Sequence, residues 1–194
     1  YEVLDVTRKD APDRLASLIS KTGGMDLYIH SSGYGMLNPD LDTEQQMITL
    51  STNVTGFVRL INFTFHYFRD QGHGHVAAVT SVAGTRGMGI NAAYSSSKRF
   101  QMTYLTALAQ LSENRNCNIR ITDIRPGFVR TAFLHHKYPM CMGTPYVARK
   151  IVRGLLKGKR RMIIDWRYRL LVFVWKMIPE RIWEKINLYQ MIRK

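Results

Sequence analysis

Short apolar runs alternate along the chain with longer amphipathic stretches. "YEVLDV" (1–6) reads as a strand, and "APDRLASLISKTGG" (11–24) as a helix ended by its double glycine. "DLYIHSSG" (26–33) reads as a strand running into a small-residue turn. Residues 43–69 carry Met47, Leu50, Val54, Phe57, Val58 and Ile61 near helical spacing and predict one long helix. "HVAAVTS" (75–81) has the short apolar character of a buried strand, and a second long helix is expected over 91–113. "NIRITDIRPG" (118–127) gives a strand and turn, 145–157 a helix with Thr144 as its cap and Pro145 in its first turn, and "RMIID" (161–165) a last strand. Strands alternating with helices predict an α/β chain whose parallel sheet is covered on both faces.

The chain has 194 residues, 45% of them hydrophobic, which suits one core, so residues 1–194 are expected to form a single domain. Residues 166–194 form a C-terminal helical extension, apolar and basic and interrupted by Pro179. It is expected to close over a core edge or to pack on another subunit, with an interfacial membrane helix as the alternative. Cys117 and Cys141 are too few for a disulfide framework and point to a reducing, cytoplasmic compartment. His73 and His75 lie between glycines in "QGHGHV" and read as turn residues; no metal-ligand spacing occurs. The net charge of +14 is concentrated toward the C-terminus, in Arg149, Lys150, Arg153, Lys157 and the basic residues beyond them. No nucleic-acid motif accompanies it, so the reading is a solvated helical face, with weak contact to an anionic membrane surface as the partner such a patch would serve.

Candidate chemistry begins at "AAYSSSKRF" (92–100), where Tyr94 and Lys98 stand one helical turn apart. An ammonium stacked near a phenol favours phenolate, the form a catalytic tyrosine needs. The spacing alone decides nothing, since Tyr146 and Lys150 repeat it. Ser81, however, leaves a strand thirteen residues before Tyr94, while the decoy pair has Phe133 at that offset. In an open parallel sheet, ligands bind at the carboxyl ends of the strands. "HSSGYG" (30–35), Ser81 and "RPGFVRT" (125–131) all come directly after strands and would converge on one crevice. Asn53, in "STNVTG", is a polar residue inside a core-forming helix.

"YSSSK" with Ser81 upstream, "NVTG", "LDV" and "RPGFVRT", in the family's order, resemble the short-chain dehydrogenase/reductase family over nearly the whole chain. The resemblance implies a Rossmann-type doubly wound parallel sheet, a nicotinamide cofactor (NAD or NADP) and interconversion of a carbonyl and an alcohol. It assigns Tyr94 as general acid/base and Lys98 as its electrostatic partner and holder of the nicotinamide ribose. Ser81 would bond the substrate oxygen, and Asn53 would position a water linking Lys98 to solvent. A free phenol titrates near pH 10, so work near neutrality needs a shift of about three units, roughly 4 kcal/mol. Asp5 and Val6 match the adenine contacts; Pro126, Gly127, Val129 and Thr131 match the segment bordering the nicotinamide.

Two departures stand out. His30-Ser31-Ser32-Gly33 replaces the usual Asn-Asn-Ala-Gly; Ser32 and Gly33 preserve close backbone approach, and His30 alters the asparagine contacts. The family's glycine-rich cofactor turn belongs ahead of "YEVLDV", so the N-terminal strand–helix units are expected to be missing, leaving a catalytic half without its phosphate cradle. "YEVLDV" would then be displaced or paired elsewhere, and nicotinamide cofactor binding would be weak. A homodimer or tetramer is expected through the helices 43–69 and 91–113, with Phe65, Phe68 and Tyr104 as apolar contacts. Phe133, Leu134, Tyr138, Met140 and Met142, in the loop 132–143, suggest a lid over an apolar or mixed substrate. The competing reading is a catalytically silent scaffold, or a membrane-surface relative that uses the basic C-terminus.

Overall fold

The strands, in chain order, are β1 (Leu27–His30), β2 (Gly74–Val79), β3 (Ile119–Arg125), β4 (Val129–Arg130), β5 (Met142–Gly143) and β6 (Arg161–Ile163). The structure, a computed structural model, describes residues 1–131 and 138–187. β1, β2, β3 and β6 pair in that spatial order, every pair parallel, and β4 pairs with β5 in a separate two-stranded ribbon. The helices are α1 (Ala11–Thr22), α2 (Thr43–Leu50), α3 (Phe57–Gln71), α4 (Ala92–Asn114), α5 (Thr144–Leu156), α6 (Trp166–Met177) and the short α7 (Glu180–Trp183).

Period-two alternation along the strands divides the core between the two faces of the sheet. Val76 and Ala78 of β2 and Ile119 and Ile121 of β3 meet Phe57, Ile61, Phe65 and Phe68 of α3 and Leu105 and Leu108 of α4. Ala77 and Ile124 face the other way, with Val147 and Leu155 of α5 and Tyr168 and Val172 of α6. The sheet is therefore covered on both faces, a doubly wound arrangement. α1 joins through Leu15 and Ile19, which pack with Val6 and with Leu60 of α3.

Several expectations change on contact with the structure. Residues 1–6 make no strand ladder; the Val6 carbonyl is held instead by the Arg59 guanidinium at 3.1 Å, which also binds the carbonyls of Thr7 and Arg8. β1 is an edge of the sheet, with Leu27 and Ile29 about two-fifths exposed. The long helix over 43–69 is interrupted by a π-helical stretch, Ser51–Gly56. A π-turn holds an extra residue and so rotates the helix on one side of it relative to the helix on the other. Met47 is accordingly exposed while Phe57 and Ile61 are buried. Phe65 and Phe68 are core residues of their own chain and are not free to meet a second subunit. His75 lies inside β2, not in a turn; its Nε2 is 2.8 Å from the Thr122 hydroxyl. Because that hydroxyl donates to the Lys159 carbonyl, His75 must carry its proton on Nε2. Thr144 begins α5 rather than capping it, and its hydroxyl donates to the Arg130 carbonyl at 2.8 Å.

Candidate active site

The carboxyl ends of β1, β2 and β3 open on one side of the sheet, and the amino-terminal turn of α4 faces them. Tyr94 and Lys98 sit on that turn with the Lys98 Nζ 5.8 Å from the Tyr94 ring centroid. Tyr146 and Lys150 reproduce this geometry on α5, at 5.5 Å. What separates the two pairs is their surroundings. Lys150 is exposed and the Tyr146 phenol turns to the Asp165 carboxylate, whereas the Lys98 ammonium is buried and Tyr94 meets Ser81.

Ser81 holds extended backbone directly beyond β2 and accepts a hydrogen bond from the Ala83 N–H at 3.1 Å. Its hydroxyl also hydrogen-bonds the Tyr94 phenol. Burial pushes the Tyr94 phenol up from its ordinary pKa, and the Ser81 bond pulls it part of the way back. Burial thus outweighs the expected preference for phenolate, and Tyr94 holds its proton at neutral pH.

Lys98 donates to the Val79 carbonyl at 3.1 Å and to the Gln101 side-chain oxygen at 3.0 Å. Burial lowers its pKa to about 8, opposed by the negative charge of Asp123. Asp123 is itself locked in place, accepting from the Thr80 hydroxyl at 2.6 Å and from Arg125 Nε at 2.7 Å. The lysine is therefore a buried cation held by one carbonyl, one amide and a fixed carboxylate beneath it.

Asn53 occupies the π-helical stretch and is fully buried. Its side chain clamps the turn after β1, accepting from the Tyr34 N–H at 2.8 Å and donating to the Tyr34 carbonyl at 2.7 Å. It also donates to the Ser97 hydroxyl at 3.0 Å. The backbone carbonyl of Asn53 accepts from the Gln101 amide at 2.9 Å. One amide side chain thus links Lys98 to Asn53. Gln101 escaped the sequence reading, and its signal was a polar residue three positions beyond the lysine on a core-facing helix. Asp123 and Arg125 escaped it too, although two charges at period two in an apolar strand mark a buried pair.

The turn after β1 lies close over this network. A Cβ at Gly33 would come within 3.3 Å of the Lys98 Nζ, and one at Gly35 would overlap the Tyr94 ring. Ser32 is exposed on this turn. His30 points inward, its ring edge-on to Phe57 at 5.2 Å and its Nδ1 3.0 Å from the Tyr28 hydroxyl. Its Nε2 is buried without a hydrogen-bond partner among the described residues. Burial, then the Lys98 charge, lower the His30 pKa to about 4, so the ring is neutral.

The remaining positions lie on other segments. Pro126 accepts from the Val82 N–H at 3.0 Å, tying the turn after β3 to the Ser81 turn. The Tyr168 ring packs flush on Gly127, and its hydroxyl accepts from the Phe128 N–H at 3.0 Å. Val129 belongs to β4, and Thr131 is exposed with its hydroxyl toward the Val129 carbonyl at 3.4 Å. Asp5 is exposed and bonds Thr7 in its own turn, while Val6 is buried. Phe133 and Leu134 of the expected lid lie outside the described residues. Of the others, Tyr138 stacks on Phe128 at 4.2 Å and Met142 is buried in β5. A cavity of about 450 Å³ opens between Pro39, the loop carrying Gly87, Gly89 and Ile90, and the C-terminal Trp183 and Ile186.

In chemistry the residues present fit the nicotinamide-ribose end of a dinucleotide: a buried cation and a protonated phenol, with a glycine turn packed closely beside them. Among the described residues no group of side chains could hold a metal ion, and no helix is long and apolar enough to cross a membrane.

A sequence model of the short chain dehydrogenase family matches residues 1–141. An oxidoreductase of Myxococcus xanthus is 30% identical over 187 residues, covering 93% of this chain and 73% of that protein. A sepiapterin reductase of Chlorobaculum tepidum is 31% identical over 116 residues, and the match spans 59% of this chain and 47% of the reductase. Among solved structures, a short chain dehydrogenase from Burkholderia cenocepacia, in complex with NADP, superposes with a TM-score of 0.74 at 16% identity, covering 86% of this chain and 71% of that one. At that identity the likeness is one of fold.

Proposed function

The chain belongs to the short-chain dehydrogenase/reductase family, and from that premise we propose that it interconverts a carbonyl and an alcohol with NAD or NADP as the hydride carrier. The observation that carries this reading is the bonded set Ser81–Tyr94 and Lys98–Gln101–Asn53, gathered where three parallel strands end. The cofactor supplies the hydride. The chain supplies position and a proton. Tyr94, protonated in its buried setting, donates from its phenol to the carbonyl oxygen, and Ser81 orients that oxygen beside it. Lys98 places its positive charge where the phenolate forms and offers a donor to the ribose hydroxyls. Ser32 and Gly33 border the cofactor, and the His30 backbone sets the turn. Pro126, Gly127, Val129 and Thr131 line its nicotinamide side, with Asp5 and Val6 toward its adenine. The cavity beside Ile90 and Trp183 takes an apolar or mixed carbonyl substrate.

Residues 1–194 act as one domain in this reading, with 166–194 as its extension, in a reducing cytoplasmic setting that suits two free cysteines. The experiment is oxidation of reduced nicotinamide cofactor, followed by absorbance, against a panel of ketones and aldehydes. Turnover that needs both cofactor and a carbonyl supports the proposal; none across the panel, with cofactor bound, refutes it.

Gln101 is assigned as the positioning residue of Lys98, in the place where a relay water was expected from the sequence. Gln101→Leu keeps the volume but leaves the Lys98 Nζ with one hydrogen-bond partner and takes the side-chain donor away from the Asn53 carbonyl. Stability falls by about 1–3 kcal/mol, the cost of orphaned buried polar groups. Turnover falls about tenfold, and the alkaline limb of its pH profile moves down, because an ammonium that loses an acceptor loses its proton more readily. An unmoved limb with only a lower melting temperature would leave Gln101 a packing residue.

A homodimer belongs to the same proposal, through α4 and α2. Phe100 and Tyr104 stack on the outer side of α4 at 5.6 Å, and Met47 and Ile48 are exposed on α2, which packs beside it. Light scattering gives twice the chain mass, and Phe100→Glu returns the mass of one chain. A single-chain mass for the unmodified protein contradicts the pairing.

A further inference from the structure

Helix α6 is apolar on two opposite sides. Tyr168 and Val172 turn inward to the core with Met162 and Ile164, and Trp175 packs edge-on to Trp183. On the outer side, successive residues advance about 100° around the axis. Trp166, Leu170, Phe173, Val174 and Met177 therefore share an arc about 100° wide, and each is between 47% and 69% exposed. A helix apolar all round is normally buried all round. Here nothing among the described residues covers the outer arc, and exposed apolar patches of this kind mark interaction sites.

The border of the arc is cationic. Arg169 and Lys176 flank it on one side and Arg167, paired with Asp165, on the other; α6 itself contains no carboxylate. A twofold pairing of this face with a second copy would set Arg169 and Lys176 against their own images. A layer of anionic headgroups over an acyl interior matches both features at once, since the cations meet phosphate and the arc enters the apolar boundary. Twelve residues in α6 are too short to cross a bilayer, so the helix would lie in the interface plane.

We propose that the outer face of α6, centred on Leu170 and Phe173 and bordered by Arg169 and Lys176, docks the protein onto an anionic lipid surface. The dock is joined to the loop that lines the large cavity. The Arg86 guanidinium donates to the carbonyls of Trp175, Lys176 and Ile178 and lies over the Trp183 ring. The Trp183 indole donates to the Gly87 carbonyl at 2.7 Å, on the loop that lines the large cavity. A docked α6 therefore ties the cavity rim to the lipid-bound helix, a connection an apolar carbonyl compound drawn from the membrane would use.

The test is vesicle cosedimentation of the full chain, with pure phosphatidylcholine compared with phosphatidylcholine containing phosphatidylglycerol. The protein sediments with the anionic vesicles and is released by high salt. Arg169→Gln with Lys176→Gln weakens binding about fivefold for each cation removed. Leu170→Glu with Phe173→Glu abolishes binding and leaves the circular-dichroism melt unchanged, because both side chains are exposed; should that pair unfold, Phe173→Ser is read in its place. Failure to bind anionic vesicles, equal binding to neutral ones, or binding indifferent to the Leu170 and Phe173 changes overturns the proposal. So does a dimer that Phe173→Glu splits, which would assign the face to a second copy, or displacement of the protein from vesicles by an acidic protein that binds the same arc more tightly.

Discussion

Replacing Tyr94 with phenylalanine lowers carbonyl turnover by about a thousandfold, the middle of the range for loss of a positioned general acid. Cofactor affinity stays within about twofold, since the cofactor is held by other groups and the ring remains. The physical ground is local. The phenol is buried and protonated, Ser81 bonds it, and Phe keeps the shape that fills the space under Gly35 while removing the proton. Lys98→Ala gives a different signature, losing both turnover and cofactor affinity, because one buried ammonium is assigned two duties. Steady-state kinetics with a good substrate, alongside cofactor titration by fluorescence, separates the two. Near-normal kcat in Tyr94→Phe would remove the phenol from the chemistry and leave the site a binding crevice.

Acid weakens the fold through His30. Its folded-state pKa is lowered from the ordinary 6.5 to about 4, by burial first and by the Lys98 charge second. The unfolded chain takes up a proton as pH falls through the ordinary value, and the folded chain does not until about pH 4. Stability is therefore complete above the unfolded value and is lost as pH falls between the two. A gap of this width is worth about 3 kcal/mol. Other groups titrate in the same range, so the comparison is with His30→Asn, which keeps an acceptor for the Tyr28 hydroxyl and cannot be protonated. Urea unfolding at about pH 7.5 and about pH 4.5 shows the variant losing roughly 2–3 kcal/mol less than the parent. Parallel losses in the two proteins would place the acid sensitivity elsewhere.

The elements legible in the sequence were those set by local periodicity. Strands at 27–30, 74–79 and 119–125 and the helices between them came from runs of two kinds of spacing, and these are properties of contiguous residues. The convergence of Ser81, Tyr94 and Lys98 was legible for a related reason: in a parallel sheet, topology dictates that strand ends and helix starts meet. "YEVLDV" has the composition of a strand, but a strand is a relation to a neighbour, and here its Val6 carbonyl is met by a guanidinium. Composition cannot supply the partner.

The order of the local elements, the parallel class of the sheet and the meeting of Ser81 with Tyr94 and Lys98 were thus determined by the sequence alone, because each rests on spacing along the chain. Tertiary structure decided the rest. The two Tyr–Lys pairs have nearly the same internal geometry, and only packing buries Lys98 and leaves Lys150 in water. The π-helical stretch turns Met47 outward and Asn53 inward, a change of phase that no regular period contains. Gln101 becomes the link between Lys98 and Asn53 only once α4 lies against that stretch. Burial then sets the protonation states of Tyr94, Lys98 and His30, since the cost of a buried charge depends on what surrounds it from every direction and not on its neighbours in sequence.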